Sequence, residues 1–273
     1  MDKKISLEAF PERQLLKTLK KNLPEKYNYM YMGLYGSQNY HLDTEDSDVD
    51  AKAIVVPELR DLINNREVSK TYGNPEEGLV DVKDVRIMFQ QFLKMNVNFL
   101  EILFTKEFAT NLFFFKEIVN LRGLRDDIVE SDIKRFAQSN LGMMKSKMVK
   151  LTKPTPATEK AIKQYGYSGK EACHIIRMGE LLEGYLERGL SFGEALDTRN
   201  SNKRELMLGF KKHIYSQKDA ERICLEQMNK TEKLVKTLLD STEYVKDVAV
   251  EKELKRLEEK IIKKLIKREM EEE

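Results

Sequence analysis

The sequence of 273 residues is poor in cysteine and has no tryptophan. Its two cysteines, Cys173 and Cys224, cannot build a disulfide framework or a four-ligand zinc site, which excludes those small stapled folds. No run of roughly eighteen apolar residues occurs, so no segment is expected to span a bilayer. The first residues also lack the apolar stretch of a secretory signal. We therefore expect a cytoplasmic protein with no membrane partner.

The sequence also lacks a strong net charge. Its 48 Lys and Arg residues face 46 Asp and Glu residues, which leaves +2 and no field that draws the whole molecule to nucleic acid. Charged residues make up 34% of the chain, well above the average for a globular domain, and hydrophobic residues make up 41%. At this length, that hydrophobic fraction is enough for a sizeable core. The composition predicts a folded, charge-rich protein.

Strand patterns concentrate in the first 110 residues. Residues 29–35 form a run of large apolar and aromatic side chains that stops at Gly36, and residues 49–56 form a β-branched run that stops at Pro57. A third short strand is predicted over residues 79–83, and a helix over residues 11–23. From Asp84 onward the apolar spacing becomes helical, and Asp84 itself is well placed as an N-cap. We predict a small mixed-sheet domain over residues 1–110.

The rest of the chain has helical periodicity. Helices are predicted near 114–122, 130–151, 169–189, 218–239 and 243–271, with the poorest periodicity at 152–168 and 190–202. We expect a helical domain over residues 111–240 and a charged amphipathic helix over residues 241–273. That last helix is read as a surface or pairing helix, and self-association or docking to nucleic acid remain alternatives. The predicted fold class is α+β, a mixed-sheet domain followed by a mostly helical one.

An acidic pair follows the first predicted strand. Asp48 and Asp50 are two residues apart at the start of a strand, so their side chains point to the same face. Two adjacent carboxylates repel each other and favour a hard cation such as Mg²⁺ or Mn²⁺ between them. If Asp81 lies on a neighbouring strand, three carboxylates can hold two metal ions, an arrangement suited to phosphoryl transfer. An acidic surface turn without function is the alternative.

Two further groups of residues suit an anionic substrate. Gly36 and Ser37 stand where the first strand ends, and a glycine there lets backbone N–H groups and a hydroxyl approach phosphate oxygens. Lys170, His174 and Arg177 are spaced four and three residues apart, which puts them on one face of a helix. Such a stripe can bind a triphosphate or an anionic acceptor. The alternative for the stripe is an ordinary solvated helix face.

These motifs together resemble the predicted nucleotidyltransferases of the DNA polymerase β superfamily. The resemblance is carried by Gly36-Ser37, by Ser47-Asp48-Val49-Asp50 before a strand that ends in proline, and by the Lys-x-x-x-His-x-x-Arg pattern at 170–177. Residues 80–83 and 98–104 are similar to further family segments, so the likeness covers roughly residues 30–230. One departure is Tyr40-His41-Leu42, where the family reads Tyr-Gly-Leu. Another is the absence of the family's proline after Asn98.

The resemblance implies an activity and roles for these residues. It implies transfer of a nucleoside monophosphate from an NTP to an acceptor hydroxyl, with two Mg²⁺ or Mn²⁺ ions and release of pyrophosphate. The substrate would lie in a cleft between the two domains, and the acceptor is a small molecule, a protein side chain or an RNA end. The alternative is a non-catalytic protein of the same fold that binds nucleotide or a partner. The implied site residues are Asp48 and Asp50 for both metals, Asp81 for the catalytic metal and the acceptor proton, Gly36 and Ser37 for the β- and γ-phosphates, and Lys170, His174 and Arg177 for phosphate or acceptor.

Overall fold

The computed structural model describes residues 7–10, 19–44, 47–74 and 78–272. Its sheet has six strands in the order β1-β6-β2-β3-β5-β4, with β3 and β5 parallel and the other neighbours antiparallel. The strands are β1 (Leu7–Phe10), β2 (Asn28–Tyr35), β3 (Asp50–Val56), β4 (Ser69–Asn74), β5 (Gly78–Asp84) and β6 (Phe108–Asn111). A mixed sheet combined with many helices confirms the predicted α+β class.

The helices occupy most of the remaining described chain. In the first half they are α1 (Ser37–Tyr40), α2 (Leu59–Ile63), α3 (Val85–Leu93), α4 (Val97–Leu100), α5 (Phe115–Gly123) and α6 (Arg125–Glu130). They continue with α7 (Ile133–Lys150), α8 (Glu159–Tyr165), α9 (Gly169–Leu186), α10 (Phe192–Leu196), α11 (Arg204–Lys211), α12 (Gln217–Asp240) and α13 (Val248–Glu272). Three short 3₁₀ turns lie at Glu101–Leu103, Leu112–Phe114 and Thr198–Asn200. Among the described residues, no helix is both long and apolar enough to cross a membrane.

The contacts divide the chain into two compact units. The sheet unit comprises the described parts of residues 1–39, 43–131 and 247–273, and the helical unit comprises residues 40–42 and 132–246. These units differ from the predicted boundaries at 110 and 240, because residues 111–131 and the C-terminal helix α13 pack with the sheet. The short segment 40–42 belongs to the helical unit, although its neighbours on both sides belong to the sheet unit.

A hydrophobic cluster of the sheet unit lies on one face of the sheet, and polar side chains of the same strands lie on the other face. On one face, apolar side chains of β2, β3 and β5 form a buried cluster that includes Met32, Ala53, Val55, Val80 and Val82. Since strand side chains alternate between faces, the intervening residues of the same strands point to the opposite face. The alternation on β5 is clear, because Val80 and Val82 are fully buried, whereas Leu79, Asp81 and Lys83 are half-buried.

The helical unit is organised around α9, which packs against α7, α10, α11 and α12. Serine side chains cap the N-termini of several of its helices, where each accepts a hydrogen bond from a backbone N–H group. They are Ser168 before α9, Ser191 before α10 and Ser216 before α12. The helix predicted near 130–151 is present at Ile133–Lys150, and the Asp132 side chain caps its first turn. The predicted C-terminal helix begins later than expected, at Val248.

Sequence patterns missed three strands and seven helices of the described chain. The missed strands are β1, β4 and β6, and the missed helices, none longer than eight residues, are α1, α2, α4, α6, α8, α10 and α11. β4 is an exposed edge strand of mainly polar residues, so it has no apolar alternation to reveal it. Of the predicted helix over 11–23, residues 11–18 lie outside the described residues, and residues 19–21 are helical.

Candidate functional site

The Gly-Ser motif lies directly beside the second carboxylate of the acidic pair. Gly36 follows β2 with a φ of +80°, a left-handed conformation that L side chains rarely adopt, so the backbone favours glycine at this position. A Cβ built on Gly36 would lie 3.9 Å from Asp50 Oδ2, so the glycine backbone lies against this carboxylate. Ser37 begins the short helix α1. The turn and the carboxylate are therefore neighbours at one end of adjacent strands.

Strand register brings the third carboxylate to the same surface. Asp50 pairs with Tyr35 on β2, and Lys52, two residues further along β3, pairs with Asp81 on β5. Residues two apart share a face, so Asp50 and Lys52 point the same way, and Asp81 lies beside Lys52. Asp48 is exposed and lies just before β3 begins. The structure thus collects Gly36, Asp50 and Asp81 on the sheet, with Asp48 at its rim.

Asp81 is held by two ammonium groups. Lys52 Nζ lies 3.2 Å from one carboxylate oxygen of Asp81, and Lys83 Nζ lies 2.9 Å from the other. A carboxylate within an apolar strand is costly unless a charge or a metal ion compensates it, and in the structure these two lysines do so. Lys83 also donates to Ser69 Oγ on β4 at 2.8 Å, which fixes its position.

Lys52 is the residue of this site that the sequence analysis missed. It is 4% exposed, and its ammonium lies 3.8 Å from the ring centroid of Tyr35 and 4.7 Å from that of Phe99. Burial lowers the pKa of Lys52, although the Asp81 carboxylate opposes that shift. The available signal was a lysine two residues after Asp50 in an otherwise apolar strand, since period-two spacing puts both on one face.

Tyr35 and Glu101 lie near the charged residues of this site. Burial raises the pKa of the Tyr35 hydroxyl, and the negative charges of Asp50, Asp81 and Glu101 add to the shift. Glu101 is fully buried in the 3₁₀ turn after α4, within the segment 98–104 that resembles the family. Tyr35 therefore stays neutral at physiological pH, and the site has one buried cation among several acids.

The donor set fits a divalent cation only in part. Asp48 and Asp50 supply carboxylate oxygens two residues apart, which are the ligands that Mg²⁺ and Mn²⁺ prefer. Asp81 accepts from Lys52 and Lys83, so it fits as a third ligand only after its oxygens are released. Among the described residues, no group of three or more His, Cys, Asp and Glu side chains is arranged to hold a metal ion.

Asp84 has the structural role that the sequence predicted for it. Its Oδ1 accepts from the Arg86 backbone N–H at 2.9 Å and caps α3, which confirms the predicted N-cap. Its other oxygen pairs with the Arg86 guanidinium at 2.8 Å, and Asp84 is 1% exposed. The two acids of this segment thus have different roles: Asp81 pairs with the lysines of the site, and Asp84 caps the N-terminus of α3.

The predicted basic stripe on α9 is not one uniform surface. Lys170 is exposed, whereas Arg177 is 4% exposed and stacks its guanidinium 3.7 Å from the ring centroid of Tyr40. His174 lies between them, half-buried overall, but its Nδ1 is fully shielded and has no hydrogen-bond partner among the described residues. The expected face therefore grades from a solvated lysine to a buried, stacked arginine.

His174 does not contribute the positive charge that the stripe was expected to have. Burial lowers its pKa well below the ordinary value for histidine, and the nearby cations lower it further. Those cations are Arg177, Lys147, Lys170 and Lys211. At neutral pH, His174 is therefore a neutral imidazole within a basic environment. It can donate or accept a hydrogen bond, but it cannot neutralise a phosphate.

The segment 40–42 is bound to the helical unit through three consecutive carbonyl oxygens. Their donors are Thr198 Oγ1 to Tyr40 at 2.6 Å, Arg204 to His41 at 3.3 Å and Lys211 Nζ to Leu42 at 2.6 Å. His41 has a φ of 59°, in the left-handed region. The position where the resembled family reads glycine thus keeps the conformation that glycine favours. No sequence signal linked this segment to residues more than 150 positions away.

Comparison with known proteins adds no relative. No protein-family model matches the chain, and a search of curated proteins finds no significant match.

Proposed function

We propose that the chain is a metal-dependent nucleotidyltransferase that transfers a nucleoside monophosphate from an NTP to an acceptor hydroxyl. The observation that supports this most strongly is the placement of Gly36 against Asp50, with Asp81 one strand further on the same surface. A phosphate-compatible glycine turn next to a set of carboxylates is what transfer between phosphates and a hydroxyl requires.

Each part of the sheet surface has a proposed role. Asp48 and Asp50 would hold Mg²⁺ or Mn²⁺, which supplies positive charge to the triphosphate when it is bound. The backbone N–H groups after Gly36 and the Ser37 hydroxyl would bind the β- and γ-phosphates. Asp81 would accept the acceptor hydroxyl proton while the new oxygen–phosphorus bond forms and pyrophosphate leaves. Lys52 would act as a positioning residue, because it binds Asp81 and shares a face of β3 with Asp50.

The helical unit would contribute contacts to phosphate or acceptor. Lys170 and Arg177 are the cations of the stripe, and His174 would orient a hydroxyl or phosphate oxygen as a neutral hydrogen-bonding group. The cleft between the two units stays a prediction, as does the choice among a small molecule, a protein side chain and an RNA end as acceptor.

The metal assignment is tested by replacing both aspartates of the pair. The double variant Asp48→Asn/Asp50→Asn should fold normally but lose Mn²⁺-dependent NTP binding in isothermal titration calorimetry. Asp43→Asn is the matched control, because Asp43 is an exposed acid of the same loop with no proposed role. If the double variant binds metal and NTP as the wild type does, the proposed site is wrong.

The third carboxylate is tested by a pair of neighbours. Asp81→Asn should lower pyrophosphate release by about 100-fold while NTP binding through Asp48 and Asp50 persists. Asp84→Asn should leave release within a few-fold, because asparagine also caps a helix and Asp84 points away from the lysines. Loss of activity in Asp84→Asn alone would show that the proton acceptor has been misassigned.

A second candidate is a non-catalytic nucleotide-binding protein. It is favoured by one observation: Lys52 and Lys83 occupy both oxygens of Asp81. Under this alternative the wild type binds NTP, but it releases no pyrophosphate with any acceptor class. Mass spectrometry of reactions with each NTP and each acceptor class distinguishes the two functions.

A further inference from the structure

A basic groove lies within the sheet unit, and none of the residues proposed for catalysis lines it. It runs between α5 and the C-terminal helix α13 and has a volume of about 560 Å³. Six of its eight lining residues are cations: Lys116, Arg256, Lys260, Lys263, Lys264 and Lys267. The other two are Glu117 and Glu259, so charged side chains alone line it. Its strong positive charge contrasts with the near-neutral chain as a whole.

A buried carboxylate fixes part of the groove. Glu117 is 2% exposed and pairs with Lys264 at 2.8 Å and Lys260 at 3.1 Å. Burial alone would raise the pKa of Glu117, but the bonds from these two lysines bring it below its ordinary value. Glu117 is therefore charged at neutral pH and holds the two ammonium groups in place. This arrangement is more ordered than an ordinary solvated lysine face.

The charges of α13 are unevenly distributed around the helix, although Lys263 pairs with Glu259 at 3.2 Å and Lys267 pairs with Glu271 at 3.7 Å. The helix has eight Lys and Arg residues and seven Glu residues, yet five of its cations line the groove together with a single glutamate, Glu259. Arg256, Lys260, Lys263 and Lys267 follow one another at spacings of four, three and four residues, which places neighbours about 5–6 Å apart. The result is a regular row of positive charge, roughly 16 Å long by the helix rise.

A regular row of cations fits a regular polyanion better than a single phosphate group. A bilayer is a poor occupant, because a flat surface reaches only the rim of a groove. The apolar side chains of α13, which a membrane-bound helix would present to lipid, are instead buried in the sheet unit: Leu254, Leu257, Ile261 and Leu265. A single strand can follow the groove with its phosphates, and electrostatic tracking of this kind is common in single-strand binding.

We infer that the groove between α5 and α13 binds the phosphate backbone of a single-stranded nucleic acid. The proposed function leaves three acceptor classes open, and binding of a single strand would select the RNA end among them. In this respect the inference rests on the proposed function. The binding itself requires neither NTP nor metal, so it is measured separately from transfer.

The test is fluorescence anisotropy with a labelled twelve-nucleotide oligouridylate in EDTA, across a range of salt concentrations. The variant Arg256→Gln/Lys267→Gln removes two groove cations and leaves the Glu117 pairs intact. Lys252→Gln/Lys255→Gln is the matched control, since it removes two exposed cations of the same helix that do not line the groove. The groove variant should bind at least about tenfold more weakly, and its salt slope should fall by about 1.4, whereas the control should change less than about twofold.

Several results would overturn the inference. They are equal losses in the two variants, wild-type strength in the groove variant, and no binding of the oligonucleotide by the wild type. Binding of phosphatidylserine vesicles through Arg256 and Lys267 without oligonucleotide binding would assign the groove to membranes instead. A strand that binds through the groove while no acceptor receives nucleotide would leave the groove established and contradict the proposed transfer alone.

Discussion

Each of the two units contains a cluster of charged side chains around a buried group, and the two buried groups have opposite charges. In the helical unit the buried group is Glu183, whose side chain is 7% exposed and accepts bonds from Lys203, Gln227 and Lys230 at 2.7–3.0 Å. Its lysine partners reach in from the surface, with side chains 27% and 53% exposed. In the sheet unit the more deeply buried group is the cation, since the Lys52 side chain is 5% exposed and that of Asp81 is 16% exposed.

The two clusters differ in whether folding favours the charged form of the buried group. Burial alone would raise the pKa of Glu183, but the bonds from Gln227, Lys230 and Lys203 lower it, so folding stabilises the carboxylate. Burial lowers the pKa of Lys52 despite Asp81, so folding works against the ammonium. A buried charge that costs free energy beside other acids is more typical of functional sites than of structural networks. From this contrast we propose that the cluster in the helical unit serves stability and that the cluster in the sheet unit serves the proposed chemistry.

The largest expected effect is on the structural cluster. Glu183→Ala should lower the free energy of unfolding by about 3 kcal/mol, because it removes the acceptor shared by three groups. Urea unfolding at pH 7 measures this. The folded-state pKa of Glu183 is depressed, so its contribution is present above the unfolded value of about 4.5 and is lost as pH falls through the folded value. The difference between wild type and variant should therefore shrink toward pH 3.

The control for that prediction is an exposed acid of the same helical segment. Glu187→Ala removes a carboxylate that is 46% exposed and lies 3.9 Å from Lys230. Its cost should be below about 0.5 kcal/mol at every pH, as for most surface ion pairs. Equal costs for Glu183→Ala and Glu187→Ala would show that the cluster does not carry the stability assigned to it.

For the sheet cluster, the second prediction is a small change in stability and a large loss of activity. Lys52→Met should change the free energy of unfolding by less than about 1 kcal/mol, because Asp81 keeps Lys83 and a costly buried ammonium is removed. It should lower pyrophosphate release by about 100-fold, since Asp81 loses the group that positions it. Lys83→Met is the matched control and should retain activity within about tenfold. A loss of about 3 kcal/mol in Lys52→Met would make this cluster structural as well.

The sequence predicted the strands that carry this site but not the charge interactions within it. The apolar runs stopped by Gly36 and Pro57 predicted β2 and β3, and the short run around Asp81 predicted β5. Those central strands are buried and therefore have the strongest pattern. Lys52 escaped notice because its burial depends on the neighbouring strands and rings, which only the sheet brings together. The binding of segment 40–42 was equally hidden, since its donors lie far along the chain.

The third prediction concerns a half-buried acid that lies near another carboxylate. Glu258 on α13 is half-buried, and burial, followed by the nearby Asp84 charge, raises its pKa to about 7. A folded-state value above the unfolded value of about 4.5 means that stability falls as pH rises between the two. Glu258→Gln should therefore stabilise the protein at pH 8 and have almost no effect at pH 4.

The size of that effect is limited by solvent. The full shift would correspond to roughly 3 kcal/mol at 1.36 kcal/mol per pKa unit, but partial exposure reduces it, and we expect about 1 kcal/mol at pH 8. Thermal or urea unfolding of wild type and variant at pH 4 and pH 8 measures it. A gain that is the same at both pH values would attribute the effect to packing rather than to titration.

The smallest expected effect is at His41, where backbone conformation and a side-chain contact oppose each other. The left-handed φ of 59° costs a residue with a Cβ about 1 kcal/mol relative to glycine, whereas glycine adds entropy to the unfolded chain. Replacement also removes the weak pairing of His41 Nε2 with Asp197, 3.8 Å away. His41→Gly should therefore gain only about 0.5 kcal/mol. His41→Ala loses the same contact but keeps the strained backbone, so it should be about 1 kcal/mol less stable than the glycine variant. Urea unfolding of the two variants isolates the backbone contribution, and equal stabilities would mean that the segment 40–42 relaxes out of the left-handed conformation despite its three carbonyl bonds.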